Sequence, residues 1–246
     1  DIFLPGVGGE EYGLDEVASQ MEDWASNNSQ SNDVRPGGYH SGKQVDNEYW
    51  RVEEDSSIEG DGAGAEIISP VYDTPREMIQ EMNSLFEFLK ENNVDTNRST
   101  GLHITMSMSG EPASKMDPLK LAILLNDKYV LSQFGRMGNS YTKSQLERLE
   151  HTVRRMNTDA ESNKDYEASW DEVKTILSRS IDTNKFNAIN YKDATNADGN
   201  NLVEFRIAGG SDYLSKMPEV TKSVLRYAAT LQASHDPELY KKDFAK

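Results

Sequence analysis

In residues 202–208, Val203, Phe205 and Ile207 take one face of a strand pattern, which leaves Glu204 and Arg206 together on the other. A carboxylate and a guanidinium thus point the same way. In residues 101–109, Leu102, Ile104, Met106 and Met108 form an apolar stripe, with His103 opposite them beside Thr105, Ser107 and Ser109. Residues 65–69 read as a further strand, in which Glu66 shares its face with Ile68, an odd neighbour for a carboxylate unless that face borders a site. A sheet that packs its apolar face on helices and leaves Glu66, His103, Glu204 and Arg206 on its open face gathers ligands for a hard divalent cation. Carboxylates suit Mg²⁺ and Mn²⁺, and imidazole is acceptable to Mn²⁺. An arginine beside them suits a phosphate. Each position also has a plainer reading. Glu204 and Arg206 at this spacing form a solvated pair on an antiparallel sheet, and His103 is a hydrogen-bonded strand residue. Asp55 before Ser56-Ser57 is a turn, and Met106 and Met108 are core. What sets the polar group apart is coincidence of face across separate strands.

The elements that must position these residues are legible in outline. Residues 5–48 are rich in Gly, Asn, Ser, Asp and Glu and read as a loop-dominated segment with one short amphipathic helix through Leu14, Val17, Ala18, Met21 and Trp24. From Tyr49, Trp50, Val52 and Glu54 alternate with Arg51, Glu53 and Asp55. After the turn Gly60-Asp61-Gly62-Ala63-Gly64, residues 65–69 complete a hairpin. Thr74, Pro75 and Glu77 give a cap, a first-turn proline and a capping-box glutamate ahead of Met78, Ile79, Met82, Leu85, Phe86 and Leu89 at helical spacing. Further helices are expected at 118–134, 143–157, 168–182 and 212–232. Strands at 185–191 and 202–208 flank a loop that carries the turn signal Asp198-Gly199. No internal repeat is visible. The sum is an α+β fold with a mostly antiparallel sheet and helices packed on one face.

Composition narrows the function. The chain has 246 residues, a formal net charge of −16 and no cysteine, which excludes disulfide scaffolds and zinc–thiolate sites. A nucleic-acid partner is disfavoured, because the short cationic pairs Arg154-Arg155 and Lys241-Lys242 cannot offset such a charge against a phosphate backbone. No run approaches the length needed to span a bilayer and no secretory leader opens the sequence, so a cytoplasmic protein with no membrane partner is expected.

The segments Trp50-Arg-Val-Glu-Glu-Asp-Ser-Ser-Ile58, Ala65-Glu-Ile-Ile-Ser-Pro70, Thr100-Gly-Leu-His-Ile-Thr105, residues 185–190 and Val203-Glu-Phe-Arg206 resemble, in that order, the motifs of the amidoligase family. That family belongs to the carboxylate–amine ligases of the glutamine synthetase and glutamate–cysteine ligase fold. The likeness covers about residues 49 to 232. It implies a loop-rich segment at 1–48 that lacks an upstream first strand, and an amidoligase-like, glutamine synthetase-like catalytic domain at 49–246.

The resemblance also implies an activity. Such enzymes use ATP and Mg²⁺, or Mn²⁺, to convert a carboxylate to an acyl phosphate that an amine then attacks. By resemblance Glu66, His103 and Glu204 are metal ligands, with Asp55 a fourth. Arg206 holds the γ-phosphate. Arg136, in Phe134-Gly-Arg-Met-Gly-Asn-Ser-Tyr141, is the arginine that contacts phosphate or the carboxylate substrate, Tyr141 lines the same pocket, and Lys185 and Asn190 contact the nucleotide. The expected partners are small-molecule or peptide carboxylates and amines, and the expected assembly is a homo-oligomer or a larger particle. Two departures stand out. The family's opening strand carries Glu-x-Glu, of which Asp1-Ile-Phe-Leu-Pro5 would be only the tail, and its His-x-His is here His103-Ile-Thr105. They motivate an alternative, a catalytically silent member of the fold serving as a structural or binding component, for instance of a phage particle. A metal-dependent hydrolase would draw on the same carboxylates and histidine.

Overall fold

The computed structural model describes residues 1–5, 14–37, 48–60, 62–111, 115–162, 170–181, 186–191 and 202–236. They fall into two units, one of Asp1–Leu102 with Gly209–Val224 and one of His103–Ala208 with Leu225–Lys246.

The first unit is built on a four-stranded sheet. Its strands β1 (Ile2–Pro5), β2 (Val34–Gly37), β3 (Trp50–Glu54) and β4 (Gly62–Ile68) lie in the order β1-β4-β3-β2. β3 and β4 form the expected antiparallel hairpin, with Val52 opposite Ile67 and Glu53 opposite Glu66. β1 joins β4 antiparallel, whereas β2 joins β3 in parallel. Alternation then sorts the side chains, and Ile2, Leu4, Val34, Trp50, Val52 and Ala65 are buried as one apolar face. Helix α1 (Leu14–Asn28) packs on β2 and β3 through Val17, Ala18, Met21 and Trp24. The loop-rich stretch expected over 1–48 therefore supplies two strands, β1 and β2, besides the expected helix, which is 15 residues long. β1 and β2 have four residues each, too few for a local alternation signal, and pairing with neighbours defines them.

Helix α2 (Pro75–Glu91) starts as its sequence dictates. The Thr74 hydroxyl accepts from the Glu77 amide at 3.3 Å while a Glu77 carboxylate oxygen accepts from the Thr74 amide at 3.0 Å. Its buried Met82, Leu85, Phe86 and Leu89 complete the core of this unit, where Trp24 meets Trp50 edge to face at 5.5 Å.

The second unit contains most of a three-stranded sheet, in which β5 (Gly101–Met106), β6 (Ile189–Asn190) and β7 (Val203–Gly209) lie in the order β5-β7-β6. The polar strand residues singled out above thus divide between two sheets. β6 pairs antiparallel with β7 and is two residues long, shorter than the expected 185–191. The flanking loop at 193–201 lies outside the described residues. The helix expected at 118–134 is two, α3 (Pro118–Leu125) and α4 (Asp127–Gln133), because Asn126 adopts the left-handed conformation at φ 51° and breaks the ladder. α5 (Gln145–Ser162), α6 (Trp170–Ser180) and α7 (Met217–His235) follow, and the α7 segment from Leu225 onward belongs to this unit. The rings of Phe205 and Tyr227 stack at 4.4 Å in its core. The protein is thus a mixed α+β protein with small, largely antiparallel sheets. Among the described residues no helix is long and apolar enough to cross a membrane.

Candidate functional site

β7 is the centre of the site because it is the middle strand and its burial alternates as the sequence requires. Val203, Phe205 and Ile207 are buried, while Glu204 and Arg206 are half-buried on the opposite face. The Arg206 Nη1 donates to Glu204 Oε1 at 2.8 Å. From one neighbouring strand, the β6–β7 register sets Asn190 directly across from Glu204, and its Nδ2 donates to Oε2 at 2.9 Å. From the other, β5 presents His103, whose Nδ1 lies 3.6 Å from Glu204 Oε1. Three strands thus converge on one carboxylate.

The electrostatics fix the protonation of the histidine. Burial comes first, and the guanidinium groups of Arg206 and Arg136 add to it, so the His103 imidazole is held well below its usual 6.5. At neutral pH the ring is uncharged, so its contact with Glu204 is dipolar rather than an ion pair. A neutral imidazole and a carboxylate each offer a lone pair of the kind a divalent cation accepts. Arg206 adds a second feature: its Nε is buried and has no hydrogen-bond partner among the described residues. A buried donor left unpaired costs about 1–3 kcal/mol, which an incoming anionic oxygen would relieve.

The remaining expected residues fall in different places. Arg136 is buried, and its Nη1 donates to the backbone carbonyls of Ala208 and, at 3.4 Å, Arg206. It braces the backbone of β7, held by a turn in which Gly135 and Gly138 take positive φ of 66° and 73°. Tyr141 is half-buried after this turn, its amide donating to Asn139 Oδ1 at 2.8 Å. Lys185 lies outside the described residues. Asp55 accepts from the Ser57 amide at 2.9 Å and hydroxyl at 2.6 Å, which is the turn reading of that residue.

Glu66 stands on β4 in the first unit. The β1–β4 register, extended by one residue from the Ile2–Ala65 pair, brings Asp1 opposite it, and carboxylate oxygens of the two lie within 4.8 Å. Asp1 Oδ2 also accepts from the Gly101 amide at 2.8 Å. On the other side of Glu66 stands Glu53, buried and 3.2 Å from Arg51 Nη1. Like charges directly opposed on adjacent strands are unfavourable, so the row Asp1, Glu66, Glu53 favours a counter-cation, of which Arg51 supplies one.

Two of these placements escaped the sequence reading. The pairing of Asn190 with Glu204 depends on a register between segments 14 residues apart, and the pairing of Asp1 with Glu66 on a four-residue strand. In both cases the signal was period-two alternation, which assigns a face but not a partner. No protein-family model, curated protein or solved structure matches this chain.

Proposed function

We propose that this protein is an ATP-dependent carboxylate–amine ligase with a glutamine synthetase-like catalytic fold. The observation that carries the reading is the Glu204 carboxylate, anchored from two sides at 2.8 and 2.9 Å beside a neutral His103 and an arginine with an unpaired buried donor. The ordered motifs that resemble amidoligases add to it. In such a reaction a substrate carboxylate oxygen attacks the γ-phosphorus of ATP as the bond to the β-bridging oxygen breaks, giving an acyl phosphate and ADP. The amine nitrogen then attacks the acyl carbon, phosphate leaves with the C–O bonding pair, and the nitrogen gives up a proton.

The chain's own residues suit parts of this sequence. His103 and Glu204 would hold Mg²⁺ or Mn²⁺, and Glu66 with Asp1 offers carboxylates for a cation on the four-stranded sheet. The bound metal supplies neutralisation of charge on the transferring phosphoryl group. Arg206 meets phosphoryl oxygens through its planar fork of donors, where two parallel bonds fix orientation as well as charge. Arg136 acts at one remove, by holding the β7 backbone from which Glu204 and Arg206 project.

A second reading, a binding or structural protein of the same fold without catalysis, is favoured by the commitment of Arg136 to backbone carbonyls, which turns an expected ligand contact inward. Calorimetry of ATP binding with and without Mg²⁺, on the protein and on Arg206→Ala, decides between them. The ligase reading expects Mg²⁺-dependent ATP binding that the variant loses, followed by amide product once a carboxylate and an amine are supplied. Absence of Mg-ATP binding sinks it and leaves the silent reading, whereas phosphate release without amide points to a hydrolase.

A further inference from the structure

Asn190 carries an inference that deepens the cation site and rests on the ligase reading above. Its backbone is fixed: β6 is antiparallel to β7, Asn190 is the direct cross-strand partner of Glu204, and the Arg206 amide donates to the Ala188 carbonyl at 2.9 Å just beyond that pair. Its side-chain amide therefore reaches Glu204 without strand distortion and donates to Oε2 at 2.9 Å, while Arg206 takes Oε1 at 2.8 Å. With a donor on each oxygen, arriving from two different strands, the carboxylate can neither rotate about its last torsion nor slide toward a ligand. A carboxylate held by Arg206 alone keeps that rotation.

We infer that Asn190 is a positioning residue that pins the Glu204 carboxylate and thereby sets the site's preference for a small octahedral cation over a large one. The reason lies in the different demands of the two ions. Mg²⁺ requires near-ideal octahedral geometry at about 2.0–2.1 Å, whereas Ca²⁺ accepts six to eight oxygens at about 2.3–2.6 Å and takes carboxylates in one- or two-oxygen fashion. A pinned carboxylate offers one fixed oxygen direction and suits the first ion. A freely rotating one turns both oxygens toward the second. An amide suits this position because it donates to the carboxylate without bringing charge. This role places Asn190 on the metal side of the site rather than against the nucleotide.

The test measures cation binding directly. Calorimetric titrations with Mg²⁺ and with Ca²⁺, without nucleotide, are run on the full chain and on Asn190→Leu and Asn190→Ala. The leucine is close in size, and both replacements are neutral and remove the donor without adding a ligand. Circular dichroism and melting confirm that each variant is folded. Loss of an outer partner of a metal ligand typically weakens binding about 10–100-fold. The expectation is that Mg²⁺ affinity falls by that factor in both variants while Ca²⁺ affinity holds or rises, so the Mg²⁺/Ca²⁺ ratio drops at least tenfold. If the protein binds Mg²⁺ but the ratio is unchanged in a folded Asn190→Leu, the positioning role is overturned and the ligase reading stands. If the unmodified protein binds neither cation, the cation site itself falls, and the positioning role falls with it.

Discussion

At the scale of single residues, chemistry is concentrated where three strands meet at Glu204. Alternation along the sequence was enough to place Glu204, Arg206 and His103 on polar faces, because period-two patterns translate directly into strand faces. It was not enough to show that Asn190 binds the carboxylate, or that Arg136 turns into the backbone of β7, since both depend on which strands are neighbours and in what register. His103 yields a prediction of its own. Its folded pKa lies well below the unfolded value, chiefly through burial and the nearby Arg206 and Arg136 charges, so the folded state binds fewer protons there than the unfolded chain does. The stability it contributes is therefore present above its unfolded value of about 6.5 and is lost as pH falls below it toward the folded pKa. His103→Gln keeps a polar side chain of similar reach and removes the titration. Melting curves of the two proteins between pH 8 and pH 5 are expected to diverge on the acid side, with the unmodified protein losing ground to the variant below about pH 6.5. Parallel curves across that range would show that the ring is not held neutral.

At the scale of elements, the sequence was most informative where a local signal is complete. The capping box at Thr74 and Glu77, the proline at Pro75 and the apolar stripe behind them predicted the start and the buried face of α2 as found. Replacing Thr74 with alanine removes the side-chain half of that box, and a loss of about 1 kcal/mol is expected by denaturant titration, with no change in the denaturant slope. The single helix expected over 118–134 failed for a physical reason. α3 and α4 are both good helical sequences, and only the left-handed conformation of Asn126 separates them. Asp127 then reaches beyond its own helix: its carboxylate accepts from the Ser144 hydroxyl at 2.6 Å and the Gln145 amide at 2.5 Å, which caps the start of α5. No local pattern announces a cap supplied from 17 residues upstream. The β3–β4 hairpin carries a sharper constraint. A Cβ at Gly64 would collide with the Asp55 carbonyl oxygen and come within 2.7 Å of Ile58 Cβ, so the turn that engages Asp55 lies directly over the strand. Because the first obstacle is backbone, relief by a side-chain rotation is closed. Gly64→Ala is expected to destabilise by about 1–3 kcal/mol, as overpacking does, and to lower the melting temperature. Unchanged stability would mean that the 55–58 turn yields at little cost.

At the scale of the whole molecule, charge is the dominant fact. A formal net charge of −16 over 246 residues repels itself, and screening that repulsion stabilises the folded chain whatever the ion. Any effect of Mg²⁺ on stability must therefore be separated into a general part and a part that belongs to a site. The general part is the same for any salt at equal ionic strength and is insensitive to a single substitution. The specific part follows mass action: a ligand at a hundred times its dissociation constant adds about 2.7 kcal/mol, which for a chain of this size is a rise of about 2–4 °C per kcal/mol in melting temperature. The measurement is a series of melting curves in MgCl₂ and in NaCl matched for ionic strength, on the protein and on Glu204→Ala. Both proteins are expected to gain from NaCl. The unmodified protein is expected to gain more from Mg²⁺ than the variant, because removing Glu204 takes away the carboxylate that Asn190 and Arg206 orient while changing the net charge by one unit in sixteen. An equal Mg²⁺ gain in the two proteins would show that Glu204 is not a cation ligand and leave the effect to screening or to the Asp1 and Glu66 carboxylates. A gain confined to the unmodified protein would place a divalent cation at the one carboxylate on which three strands converge.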